Sequence, residues 1–378
     1  MKYKAAMLCT VLCAVTNAAS AQSSVTLYGL IDEGIGFTNN AGGKQAWQTQ
    51  SGWTAGDRWG IKGVEALGAG TAAIFTLENG FLLDSGRALP SGMLFGRQAF
   101  VGLQSTRWGS VTLGRQYDSI QDYLAPLTAN GRDGGWPFAH PYDNDNTVAT
   151  FRLNNAVKFS STNYGGLQFG GVYAFGNATG FASNRSFSIG ASYNRSPLSL
   201  AVAYLQADSP GATASGAISS TDANFVARRQ RVWGAGANYD WGPATLGLTY
   251  THTVLNDPVS SAYFGTLPAG ATLLRFDNLE ANVRYQATPT VVLAAMYAYT
   301  LGRFDGASGA ATPRWHQGGL MVDYLLSKRT FLYAQAVYQH VGGDAAGTVF
   351  GNAYITGSAG ISSTRSQVLG RAGIRTVF

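Results

Sequence analysis

Only two cysteines occur in the 378 residues, Cys9 and Cys13. Both lie in an N-terminal stretch with the marks of an export signal. Lys2 and Lys4 give it a basic start, Ala5 to Val15 is apolar apart from Thr10, and Ala19-Ser20-Ala21 supplies small residues in an A-x-A arrangement. Cleavage is expected before Gln22, so residues 1–21 form a signal peptide and the exported chain, 22–378, holds no cysteine. No disulfide framework is open to it. Long apolar runs are missing as well. Beyond the signal the longest is Val291 to Tyr299, nine residues. A spanning helix needs roughly 20, whereas a tilted membrane strand needs roughly 9–11.

Charge is scarce. Asp, Glu, Lys and Arg make up 12% of the chain, about half the usual soluble share, while mean hydropathy stays near zero. This excludes both a helical membrane protein and a disordered chain. The formal charge of +6 falls to +4 without Lys2 and Lys4, and scattered basic residues make no case for a nucleic-acid partner. Catalytic and metal signatures are lacking too. His140, His252, His316 and His340 have no metal-ligand spacing. Gly68-x-Gly70 and Gly234-x-Gly236 lack the third glycine of a dinucleotide fingerprint, and no G-x-S-x-G elbow occurs. His140 with Asp143 and Asp145 reads as part of a solvated loop rather than a calcium site, which takes 6–8 oxygen ligands. No cofactor and no enzymatic activity are expected.

What the chain does have is alternation. Leu279, Ala281, Val283 and Tyr285 share one parity; Asn278, Glu280, Asn282 and Arg284 share the other. Strand side chains alternate at period 2, so each such segment has an apolar and a polar face. The last fourteen residues are the sharpest case. Val368, Gly370, Ala372, Ile374, Thr376 and Phe378 fall on one face, with Arg365, Gln367, Arg371 and Arg375 on the other.

Turn signals sort into two kinds. Seven short ones lie at 67–70, 106–109, 163–166, 194–197, 240–243, 288–289 and 327–329. Eight long polar ones lie at 38–50, 84–92, 117–148, 177–185, 208–224, 256–271, 304–313 and 341–363. Short and long alternate, giving sixteen strands. An even antiparallel count with short turns at one end and long loops at the other is the pattern of an outer-membrane barrel, and sixteen strands leave an aqueous channel. Strand 365–378 should then pair antiparallel with strand 24–37, hiding both edges. Arg58, Lys62, Arg365, Arg371 and Arg375 should face the lumen. Tyr28, Phe37, Tyr164, Tyr173, Tyr239, Tyr250, Tyr285, Tyr299 and Phe378 suit interfacial girdles.

Two segments break the regularity. Strands between Thr71 and Tyr117 mix faces, since Val111, Leu113, Arg115 and Tyr117 share a parity; these strands are expected to lie against another protein. The 117–148 connection is too long and too apolar to float free, carrying Tyr117, Tyr123, Leu124, Leu127, Trp136, Phe138 and Tyr142. If it folds inward, its acids could face basic wall residues across a narrow opening and set up a transverse field.

Several motifs resemble those of trimeric porins of beta-proteobacteria. These are Ser23-Ser24-Val25-Thr26-Leu27-Tyr28-Gly29 followed by Ile31-Asp32, Arg58-Trp59-Gly60-Ile61-Lys62-Gly63, Thr76-Leu77-Glu78-Asn79-Gly80-Phe81, Phe95-Gly96-Arg97-Gln98-Ala99-Phe100-Val101-Gly102-Leu103, Val111-Thr112-Leu113-Gly114-Arg115-Gln116-Tyr117-Asp118, Asn155-Ala156-Val157-Lys158-Phe159-Ser160, Ser327-Lys328-Arg329-Thr330 and the terminal Phe378. The resemblance implies a 16-stranded barrel and a homotrimer surrounded by outer-membrane lipid and lipopolysaccharide. It implies that the third loop forms a constriction inside the barrel. It assigns Arg58, Arg97 and Arg152 to a basic wall, Glu78 to an acidic partner, and Asp118 and Asp122 to the opening of the inward loop. The expected function is passive diffusion of ions and small hydrophilic solutes, with a mild anion preference. The alternatives are a substrate-specific channel of the same build, a barrel enzyme, or an adhesin.

Overall fold

A computed structural model describes residues 23–378 except Ser91 and Ser308. The expected signal peptide, with Cys9, Cys13 and the site before Gln22, lies outside the described residues. Sixteen wall strands close into one antiparallel barrel. They are β1 (Ser24–Ala41), β2 in two runs (Lys44–Ser51 and Arg58–Gly68), β3 (Thr71–Phe81), β4 (Gln98–Ser105), β5 (Gly109–Gln116) and β6 (Leu153–Ser161). There follow β7 (Leu167–Ala174), β8 (Ser186–Arg195), β9 (Leu198–Asp208), β10 (Phe225–Trp241) and β11 (Ala244–Ser261). The wall ends with β12 (Leu273–Thr288), β13 (Val291–Gly306), β14 (Gly309–Leu325), β15 (Thr330–Asp344) and β16 (Ser366–Val377).

Closure runs from Leu30 opposite Val377 to Thr38 opposite Leu369. The terminal residue completes it. Gly29 donates to the Phe378 carbonyl at 3.0 Å and accepts from the Phe378 amide at 3.1 Å. Gly29 has no Cβ, and the Phe378 ring occupies the place where one would stand.

Parity reads as expected along β16. Val368 and Ile374 are exposed outside, while Gln367, Leu369 and Arg371 are buried inside. Arg365 departs from expectation: it precedes the strand and lies exposed in the loop before it. Two of the expected long connections also differ. β1 and β2 pair to Ala41–Lys44, and β13 and β14 pair to Gly306–Gly309, so 38–50 and 304–313 are tall hairpins rather than loops. Polar residues satisfy a ladder as well as apolar ones do, so polarity alone cannot mark where a strand stops. The mixed parity of β5 has a local cause. A bulge between Gly114 and Gln116 follows outward Val111 and Leu113, and turns Arg115 inward, where it is 8% exposed.

The 117–152 connection is a chain of short π- and 3₁₀-type turns, from Ile120–Leu124 to Pro141–Asp143. It enters the barrel and docks on a track of wall glycines. Tyr123 fills the space beside Gly190, Leu124 that beside Gly234, and Phe138 that beside Gly319. Sixteen strands thus enclose a lumen that this segment crosses.

Outward Leu248 stands in a row with Ala237 and Ala281, level with the midpoint between the exposed Trp233 and Trp241 of β10. Replacing Leu248 with Arg should lower folding stability in phospholipid vesicles by about 2–4 kcal/mol, and Leu248→Ala by less. Denaturant titration in vesicles measures both.

Candidate functional site: the constriction

Glu78 sits on β3 opposite Gly60 and Gln98, which brings it beside Arg97. Arg97 Nε donates to Glu78 Oε1 at 2.8 Å, and Arg97 Nη2 donates to Tyr117 Oη at 2.8 Å. Tyr28 Oη donates to the other Glu78 oxygen at 2.9 Å. Lys62 stands 5.4 Å over the Tyr28 ring and Arg152 5.4 Å over the Tyr117 ring. These contacts make a continuous polar ladder along the inner wall: Lys62, Tyr28, Glu78, Arg97, Tyr117, Arg152. Tyr28 therefore belongs to the lumen and not to a girdle, because its parity matches that of buried Leu30 and Asp32. Burial opposes ionisation of Tyr117, but Arg97 and then Arg152 outweigh it and pull the phenol below its ordinary value.

Beside the ladder lies a cavity of about 370 Å³. Its lining includes Arg58, Arg97, Arg132, Arg152 and Arg375, with Asp57 as the one carboxylate. Sequence reasoning missed Arg132, which comes from the inward loop.

The loop acids are elsewhere. Asp118 and Asp122 do not line this cavity. Asp118 is fully buried, where its carboxylate accepts from the Ile120 and Asn146 nitrogens at 2.7 Å each and shapes the first turn of the loop. Burial, then the Asp122 charge, pushes its carboxyl up to about 6. Asp122 pairs with Lys158 in a separate lumenal cavity of about 280 Å³. Asp133 is taken by Arg132 and Arg284 at 3.1 and 2.9 Å. A row of loop acids facing the arginines is thus absent among the described residues. The short polar turns use those carboxylates to satisfy their own backbone and the nearby wall.

A second inward element has no clear counterpart in the sequence pattern. Residues 52–57 interrupt β2 and bend into the lumen. Asp32 Oδ2 accepts from the Thr54 amide at 2.6 Å and from its hydroxyl at 2.7 Å. Arg371, expected to meet solutes, points inward but is sealed beneath this segment at 3% exposure. Its guanidinium lies 4.6 Å from the Trp53 ring and 5.3 Å from that of Tyr333. The Trp53 carbonyl accepts from Trp136 N at 2.9 Å, tying the segment to the inward loop. Gly135 makes this approach possible. Its φ is +59°, and a Cβ there would stand 1.9 Å from the Trp53 oxygen. The only signal was a pair of glycines, Gly52 and Gly56, between two alternating runs.

The far end of the loop is clasped by a buried polar cluster. His140, expected in a solvated loop with Asp143 and Asp145, is fully buried with both. Its Nδ1 lies 2.6 Å from Asp145 Oδ2, and its Nε2 lies 3.5 Å from Glu280 Oε2 on β12. Thr251 donates to Asp145 Oδ2 at 2.6 Å, and Glu280 Oε1 accepts from the Ala129 amide at 2.9 Å. Burial alone would discharge the imidazole. Asp145 and then Glu280 outweigh it and push His140 up to about 10. The same contact holds the Asp145 carboxyl below its ordinary range despite burial.

Comparison with known proteins agrees with this architecture. Residues 8–344 match the family model described as Gram-negative porin. The chain belongs to that family. It is 30% identical to an outer membrane porin protein of Bordetella pertussis, over 89% of this chain and 94% of that one. Outer membrane porin protein 32 of Delftia acidovorans is 31% identical over 64% of this chain and 68% of its own. Among solved structures, an anion-selective porin from Comamonas acidovorans superposes with a TM-score of 0.72 at 23% identity, covering 94% of this chain and all of that one. A trimer form of Vibrio cholerae OmpT gives 0.66 at 16%, covering 94% and 99%. This porin is therefore an outer-membrane channel through which solutes pass passively, and not an enzyme.

The clasp has a defined pH window. His140 has a folded pKa raised above 6.5, so its stabilisation is complete below that value and is lost as pH rises through about 10. Asp145 has a lowered folded pKa. Its stabilisation is present above its ordinary value and is lost as pH falls through the lowered one. His140→Leu leaves two buried carboxylates without their cation, at a cost of about 3–5 kcal/mol. Calorimetry should find that loss at neutral pH, and the difference from the native protein should shrink above pH 10.

Proposed function

We propose that the pore is a general diffusion channel with a mild preference for anions. The observation that carries this reading is the cavity at the loop, with five arginines against a single lining carboxylate. Low-dielectric walls bearing one sign of charge concentrate the opposite ion. Glu78 cancels one positive charge, that of its ion-pair partner Arg97, and leaves the other lining arginines in excess of the single lining carboxylate. In this reading Arg58, Arg97 and Arg152 form the selective wall, Arg132 and Arg375 add to it, and Lys62 extends it along the lumen. Asp118 and Asp122 position the loop rather than meet solutes. An anion-selective relative of the same fold is consistent with this assignment.

The functional unit we infer is a homotrimer. Strands β3 to β9 are 8–11 residues long, against 15–18 in β10 to β15. On this low side Val101, Leu103 and Leu113 are 58, 60 and 54% exposed, a continuous apolar surface that suits a neighbouring copy. The taller side would face outer-membrane lipid, with lipopolysaccharide toward the long loops.

Single-channel recording in a salt gradient tests the selectivity. The native protein should reverse on the anion side, and a cation-side reversal would refute the preference. Arg58→Glu with Arg152→Glu should cut the anion-to-cation permeability ratio by about tenfold, the lower end of what a charged cleft does to local ion concentration. Native mass measurement of detergent-extracted protein should give a trimer; a monomer alone would remove the assembly from the proposal.

A further inference from the structure

Two of the histidines meet on the outer wall. His316 of β14 stands directly opposite His340 of β15 in the strand register. Their neighbours Trp315, Gln317, Gln339 and Val341 are buried on the lumenal side, and Gln317 donates to the Pro137 and Ala139 carbonyls of the inward loop. Period 2 therefore sends both imidazoles outward. Spacing along the chain does not reveal this pair, because strand register rather than chain distance brings the two together.

The rings are already oriented. His316 Nδ1 lies 2.7 Å from Tyr297 Oη, and Tyr297 belongs to β13, on the side away from β15. His340 Nδ1 lies 2.9 Å from Ser366 Oγ, and Ser366 opens β16, on the side away from β14. In an imidazole Nε2 occupies the ring edge opposite Nδ1. Anchoring each Nδ1 edge away from the pair thus turns the Nε2 edges toward the line between the two strands. Among the described residues no hydrogen bond engages either Nε2. When the proton sits on Nδ1 and is donated to the hydroxyl, Nε2 carries a lone pair, and that is the tautomer a metal takes. The Tyr299 ring, 4.9 Å from that of His316, covers the pair on one side.

Spacing and room both suit a single ion. Directly opposite residues have Cβ atoms about 4.5–5.5 Å apart. Imidazole nitrogens sit ~2.0–2.1 Å from a metal, so two of them on one ion are roughly 3–4 Å apart, within reach of converging rings. Outward Gly318 and Gly342 flank the pair diagonally, and a Cβ at Gly318 would meet nothing within 4 Å. That space is open to water. No group of three or more His, Cys, Asp or Glu able to hold an ion occurs among the described residues, so the pair does not fit the four-ligand pattern of structural zinc. His252, also outward, is three strands away, ~14 Å, with its Nδ1 on Asp277. Two imidazoles with water in the remaining positions match a tetragonal N,O site, and copper(II) stands at the top of the affinity order for such ligands. Outward Arg314, two residues before His316, adds a repulsive charge that limits the affinity.

We propose that His316 and His340 bind a copper(II) ion through their Nε2 atoms, with water completing the coordination. The site faces away from the lumen, so it is independent of ion permeation.

The test uses the tag-free folded protein in detergent, with copper(II) as probe and zinc(II) as comparison. Electron paramagnetic resonance counts the nitrogens on the bound ion, and equilibrium dialysis measures affinity. The native protein should hold one copper(II) per chain with two equatorial imidazole nitrogens, and hold zinc(II) more weakly. His316→Gln or His340→Gln should lower copper affinity by about a hundredfold, the low end of what joining two binding groups gains. Tyr297→Phe keeps both ligands but removes the Nδ1 partner, and should lower affinity by about tenfold. That variant keeps the proposal falsifiable if a histidine variant does not fold. His252→Gln should bind as the native protein does. Native affinity in either histidine variant or in Tyr297→Phe, an equal loss in His252→Gln, or a bound ion with a single imidazole nitrogen overturns the proposal. Single-channel conductance should be the same with and without copper(II); a change would place the ion in the lumen and overturn it too.

Discussion

In a bilayer there is no water to satisfy an unpaired backbone group, and this structure depends on that constraint. A sheet there must close. The pairing of β1 with β16, finished by the two bonds between Gly29 and Phe378, removes the last free edge. Closure at sixteen strands also sets the diameter. The barrel is too wide for its own side chains to fill, so water or another segment of chain must occupy the middle.

Residues 117–152 take that place, and they are held by two unlike devices. Wall glycines give apolar side chains room to seat, as Tyr123 does at Gly190 and Phe138 at Gly319. Polar clasps then fix the ends. Asp118 organises the entry, and His140 with Asp145 and Glu280 secures the far side. A buried ion cluster is weak evidence for net stability, yet breaking one leaves costly charges behind. Its consequence here is that the far end of the loop is tied to Thr251 of β11 and Glu280 of β12.

The electrostatics of the channel follow from how the loop spends its carboxylates. Every acid that supports the loop's own turns is withdrawn from the opening, and the arginines of the wall face a lining with little negative charge. Arg371 makes the converse point. It has the parity of a lumen residue, but Trp53 and Tyr333 cover it, so it braces the 52–57 segment instead of meeting solutes. Outside, period 2 sends another set of arginines, Arg231, Arg275, Arg303 and Arg314, to the outer face of the long-loop rim.

Strand count, closure and the outward faces were legible in the sequence because period 2 is a local property. Each residue of β16 announces its side by its parity alone. Even the irregular parity of β5 was visible, although only the bulge at Gly114 explains why Val111 points out and Arg115 in. That Arg58 and Arg375 point inward was legible to the same extent, since both sit on strands, and Arg97 and Arg152, which adjoin strands, line the same cavity. Only the tertiary structure decided what covers those positions from within. It buried Asp118, sealed Arg371, moved Tyr28 into the ladder with Glu78, and brought Arg132 to the opening. Alternation separates inside from outside, but a chain that folds back across a lumen chooses its neighbours through contacts far apart in sequence, and no local period encodes those.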